Sequence, residues 1–152
     1  YHYHRQGVLS DTPYIRPGKN AVIIHPAAFP KIKQFFATGQ NPSHNWRTKG
    51  DWKAVYYMDE KEIPDDKVAA ALEDWLERSY ITTNERYPTR LMDEMSTILD
   101  KHKLNDPVED SKKQHVLREA QNIVSNEWFK SHHTHSQKLT EFNEKVKLMR
   151  AL

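Results

Sequence analysis

Between Asn41 and Tyr57 the sequence interleaves cations with rings: Arg47, Lys49 and Lys53 stand beside Trp46, Trp52, Tyr56 and Tyr57, with Asn41, Ser43, His44 and Asn45 just ahead. That mixture suits a polyanion with stackable bases. Arg and Lys neutralise phosphates, aromatic faces take up unstacked bases, and Asn side chains can read base edges. Trp52 and Tyr56 serve equally well as core residues if they share one strand face. Trp46 differs, because an indole in a polar loop needs a partner or a shielding neighbour. Lys31 and Lys33 flank Ile32 ahead of Phe35 and Phe36, an arrangement that an ordinary amphipathic helix explains and that would also extend a basic footprint outward. The candidate nucleic-acid-binding residues are therefore Lys31, Lys33, Asn45, Trp46, Arg47, Lys49 and Lys53.

The wider charge distribution points the same way. The first 58 residues hold eight Lys or Arg against Asp11 and Asp51, a formal +6, together with ten of the sixteen aromatic residues. The remaining 94 hold fifteen basic and nineteen acidic side chains, a formal −4, so the net charge of +2 hides a strong asymmetry. Nucleic acid is the partner class this favours, with DNA and RNA equally served.

Other chemistries find less support. There is no GxSxG elbow, and the four glycines do not form a phosphate-cradling loop. Cysteine is absent, which removes disulfides, thiol nucleophiles and Cys-based zinc sites and fits an intracellular setting, cytoplasmic or nuclear. His132, His133 and His135, with Glu127, offer zinc ligand types. Adjacent helical positions diverge, however, and no HExxH spacing supports them. His25 and His44 are isolated candidates for a hydrolytic base, the lowest-ranked reading. Asp65 and Asp66 are better explained as charges at a helix N-terminus. The expectation is a non-catalytic protein with no metal and no cofactor.

The elements that would position these residues change character near Met58. Residues 1–20, with Gly7, Pro13, Pro17 and Gly18 and no sustained period, read as an irregular arm; no signal-peptide pattern is visible in it. Ala21 to His25 is β-branched and ends at Pro26, predicting a short buried strand. A helix is expected from Ala27 to Thr38, with Pro30 in its first turn and Gly39 as its stop. Gln40 to Asp51 reads as loop, and Trp52 to Met58 as a second strand. After Pro64 helices dominate. Val68, Leu72, Trp75 and Leu76 mark one apolar stripe, and Leu91, Met95, Ile98, Leu99 and His102 a second. A third helix is expected from Pro107 to about Lys130, along Leu117, Ala120, Val124 and Trp128. A fourth carries Leu139, Phe142, Val146 and Met149. Weak helix formers from Lys130 to Ser136 predict a break between the last two; the alternative is one continuous helix of about 60 Å at ~1.5 Å per residue.

The fold class that follows is α+β and mainly helical, a small basic N-terminal part with two short strands packed on about four C-terminal helices. Its domain organisation is an irregular arm over 1–20 and one globular domain over 21–152, basic and α/β in 21–58 and helical in 59–152. No apolar run approaches the ~20 residues of a membrane span. The expected function is non-catalytic nucleic-acid binding. The alternative is a protein-interaction adaptor, in which charge steers an acidic partner and the helices form a partner-binding or homo-oligomer surface.

Overall fold

A computed structural model describes residues 8–19, 21–38, 62–82 and 88–152. Contacts divide the chain into two compact units, Tyr1–Pro64 and Asp65–Leu152. The boundary lies six residues beyond the change of character at Met58. The fold is α+β and mainly helical, with the helices concentrated in the second unit.

The first unit begins, among its described residues, with a 3-10 turn over Val8–Asp11 and an antiparallel hairpin of β1 (Tyr14–Gly18) and β2 (Ala21–Ile24). Strand β1 falls within the stretch read from sequence as an irregular arm, and that expectation is corrected here. Two apolar pairs, Tyr14-Ile15 and Ile23-Ile24, face each other in register, and Gly18 pairs with Ala21, so the chain turns after Gly18. Pro17 has no N–H to give the ladder, and the register shifts between Ile15 and Gly18. The Arg16 guanidinium closes the turn by donating to the Lys19 carbonyl at 2.9 Å. Strand β2 lies where it was expected but is not buried: Ala21 and Val22 are exposed, because a two-stranded ribbon covers little of its own surface.

A 3-10 turn over Pro26–Ala28 leads into α1 (Phe29–Thr38). His25 caps that turn, its Nδ1 accepting from the Ala27 amide at 3.0 Å. Pro30 occupies the first turn of α1, where its missing N–H costs nothing. Ile32 and Phe35 are buried, and Phe36 meets Phe35 edge-on. The expected loop Gln40 to Asp51 and strand Trp52 to Met58 lie outside the described residues.

The second unit is built from α2 (Asp65–Glu77), α3 (Leu91–Lys103), α4 (Asp110–Val124), α5 (Glu127–His132) and α6 (Gln137–Arg150). Helix α2 starts after Pro64 with two carboxylates in its first turn. It buries Val68, Leu72, Trp75 and Leu76 as their spacing predicts. A two-residue ladder, β3 (Tyr80–Ile81) with β4 (Thr89–Arg90), carries the chain into α3. At its far end α3 closes with a Schellman motif: Asn105 takes the left-handed conformation (φ 54°), its amide donates to the His102 carbonyl, and the Asp106 amide donates to Lys101. Pro107 then prevents continuation.

The expected third helix is two helices. Asn126 breaks the run, accepting from the amides of Trp128 and Phe129 to cap α5. The stripe of α4 is also rotated by one position, since Val116, Ala120 and Ile123 are buried while Leu117 and Val124 lie at its edge. The break expected before the last helix is present as a 3-10 turn, His133–His135, followed by Ser136 as the cap of α6. A continuous helix is thereby ruled out. Helix α6 packs against α2, α3 and α4 and buries Leu139, Phe142, Val146 and Met149. Among the described residues no helix is long and apolar enough to cross a membrane.

The centre of this unit yields the first testable outcome. Phe142 is 2% exposed and meets Phe129 edge-on at a centroid distance of 6.0 Å. Phe142→Ala is expected to cost roughly 3 to 5 kcal/mol through lost burial and a residual cavity, independent of protein concentration, since the unit's own helices cover the ring. Trp75→Ala, at 4% exposure, should cost a similar amount. Leu148, 57% exposed on α6, serves as the control, and its change to Ala should stay within about 0.5 kcal/mol. Chemical denaturation of the three variants checks the contrast.

Candidate functional site

The candidate surface begins on α1. Lys31 and Lys33 precede and follow Ile32, and with 3.6 residues per turn each points about 100° away from it. Ile32 is buried and both lysines are exposed. The hairpin adds Arg16 and Lys19, both exposed, which sequence reasoning counted as charge but did not assign to a site. Their signal was the run Arg16-Pro17-Gly18-Lys19 between two apolar pairs, a breaker pattern that leads into the turn. Among the described residues of the first unit the only acidic side chains are Asp11 and Glu62, so cations outnumber acids by four to two, all exposed. Asn45, Trp46, Arg47, Lys49 and Lys53 lie outside the described residues, as does His44. The structure thus places two of the seven expected site residues, Lys31 and Lys33, and puts both at the surface.

The second unit contains a different kind of electrostatics, in which opposite charges join helices. Glu94 of α3 is buried at 7% exposure; its Oε1 accepts from Thr89 Oγ1 at 2.8 Å and its Oε2 faces Lys112 of α4 at 3.2 Å. Glu77 of α2 bridges Lys138 of α6 and Arg90, the latter at 3.0 Å. The Lys138 hydrogen bond holds the Glu77 carboxyl below the usual carboxylate range, with the charges of Lys138 and Arg90 adding and burial opposing. Ser136 Oγ accepts from the Leu139 amide and donates to Glu73 on α2. Each of these carboxylates is occupied by a structural partner.

The histidines near the last break are also engaged. His133 Nδ1 faces the Phe129 carbonyl at 3.0 Å and its ring stacks on Phe129, whereas His132 and His135 turn toward Asp65. Among the described residues no three His, Asp or Glu side chains are placed to hold a metal ion. An open recess of about 290 Å³ lies beyond the end of α3, lined among others by Ile98, His102, Asn105, Pro107, Val108 and Leu152. Comparison of the chain with protein-family models, with curated proteins and with solved structures finds no match.

The Glu77 bridge sets an acid response. Because its folded-state pKa is depressed from 4.5, the stabilisation is present above that value and lost as pH falls through the lower folded-state value. Both side chains are more than a third exposed, so solvent screening keeps the contribution small. Glu77→Gln is expected to lower the melting temperature at pH 7 by no more than about 4 to 8 °C. The difference from wild type should shrink as pH falls below the ordinary carboxylate range and through the lowered folded-state value. Thermal melts across that range read both.

Proposed function

We propose that the protein binds nucleic acid without catalysing a reaction on it, through the basic, aromatic-rich surface of its first unit. The observation that carries this reading is the segregation of charge and rings into the first 58 residues, joined to the exposure of Arg16, Lys19, Lys31 and Lys33. Exposed cations on a short hairpin and a short helix can follow a phosphate backbone, and Trp46 with Arg47, Lys49 and Lys53 would add a base-stacking platform with further phosphate contacts. The helical unit, in which Glu94–Lys112 and Glu77–Lys138 join helices, serves as the scaffold. The proposed partner implies an intracellular setting, cytoplasmic or nuclear.

Salt dependence is the discriminating readout, because each neutralised phosphate releases counterions. Titration of labelled single-stranded DNA, RNA and duplex DNA should give a log K against log salt slope. In the variant Lys31→Ala with Lys33→Ala it should fall by about 0.7 per lost contact on a single strand, or about 0.9 on a B-DNA duplex. The triple change of Arg47, Lys49 and Lys53 to Ala should weaken binding across sequences and lower the slope further. Trp46→Ala should cost about 1 to 3 kcal/mol on single strands with the melting temperature unchanged. Unchanged slopes in folded variants remove these residues from the interface. Capture of an acidic protein in place of every nucleic acid transfers the reading to the adaptor.

A further inference from the structure

The β1–β2 hairpin grows more exposed toward its turn. Tyr14, Ile15, Ile23 and Ile24 at its base are half-buried, whereas Arg16, Pro17, Gly18 and Lys19 on one side and Ala21 and Val22 on the other are exposed. Ile15 pairs with Ile23 and Gly18 with Ala21, so two residues, Arg16 and Pro17, stand opposite the single Val22. An extra residue of this kind bends a strand and re-aims its side chains. Arg16 gives one N–H to the Lys19 carbonyl at 2.9 Å, which holds the guanidinium at the turn, and its fork has more donors than that one bond uses. No Asp or Glu occurs anywhere from Pro13 to His25. The exposed end of the ribbon is therefore positive, with apolar surface from Pro17, Ala21 and Val22 beside its cations.

We propose that this ribbon is a reading arm that enters the major groove of B-form DNA. The proposal rests on the nucleic-acid reading above and adds to it the form of the nucleic acid and the groove.

Groove dimensions select the partner. The major groove of B-DNA, about 12 Å wide and about 8.5 Å deep, admits a two-stranded ribbon, and the minor groove, about 6 Å wide, does not. The exposed stretch Arg16 to Gly18 extends about 7 to 10 Å at ~3.3 Å per residue, which matches the depth to be crossed. A-form RNA has a major groove too narrow for side chains to read, so an arm of this width distinguishes the two duplexes. Within the groove Arg16 has the donor fork that pairs with guanine O6 and N7, Val22 offers apolar surface to a thymine methyl, and Lys19 brings charge to a flanking phosphate.

Fluorescence anisotropy of the full chain with one sequence presented as DNA duplex, RNA duplex and single-stranded DNA tests this. Arg16→Ala should weaken binding to the DNA duplex by about 5- to 150-fold, the loss expected for one bidentate base contact, and leave single-strand binding little changed. Lys19→Ala keeps the backbone carbonyl that Arg16 holds, so it preserves the turn and should lower the salt slope on duplex DNA by about 0.9. Unchanged melting temperatures establish that both variants are folded. Replacing guanine by 7-deazaguanine, which removes the N7 acceptor from the major groove, should weaken binding by the unmodified chain and have no further effect on Arg16→Ala. Equal affinity for the two duplexes, or indifference to both the deaza base and Arg16→Ala, overturns the arm, and the wider reading then rests on Lys31, Lys33 and the Trp46 segment. Binding to no nucleic acid overturns both.

Discussion

The burial of one face of α6 is the constraint around which the helical unit is organised. Leu139, Phe142, Val146 and Met149 are each at most 4% exposed and lie among α2, α3 and α4. It touches three of the unit's other helices at once, so its position constrains all three. A fourteen-residue helix that loses its packing face has little reason to persist in water, where isolated helices of this length are marginal. The polar contacts at its start then set register: Ser136 caps the helix and reaches Glu73, and two residues on Lys138 reaches Glu77, one turn further along α2. Two contacts a turn apart, both to α2, resist sliding in a way that apolar packing alone does not.

Helix α6 can reach that position because the chain breaks twice before it. Asn126 and Ser136 both use a side-chain oxygen to satisfy amides that a helix start leaves open. Between them α5 is only six residues long, enough to place Phe129 in the core and His132 opposite Asp65. A continuous rod would have carried the α6 stripe away from α2 and left it exposed.

What was legible in the sequence follows from where the determining physics was local. The stripes of α2 and α6 were readable because their apolar residues recur at three- and four-residue steps; that of α3 holds for Leu91, Met95 and Ile98, whereas Leu99 is half-buried and His102 exposed. Helix α4 offers two adjacent stripes, Val116 with Ile123 and Leu117 with Val124, and its period cannot choose between them; packing against α3 and α6 did. Trp128 continues the apolar period past Asn126 and masked that cap. Strands β3 and β4 are two residues each, too short for any alternation to register. Strand β1 is hard to read from sequence because Pro17 and Gly18, ordinarily breakers, lie within the strand itself. Of the candidate surface, the outward placement of Lys31 and Lys33 followed from helical spacing alone. The meeting of Asp65 with His132 has no local signature, since it depends on the packing of α2 against α5.

Charge is divided unevenly along the chain, basic in its first 58 residues and acidic in the rest. In the helical unit Glu94–Lys112 and Glu77–Lys138 join one helix to another, while the described cations of the first unit are exposed. Mapping backbone amide resonances of the full chain during titration with a short single-stranded oligonucleotide tests that division most directly. The account predicts saturable, salt-sensitive perturbations within residues 1–64, including α1 and the hairpin, with α2 to α6 unmoved. Perturbations centred on the helical unit, or none at all at low salt, would contradict it.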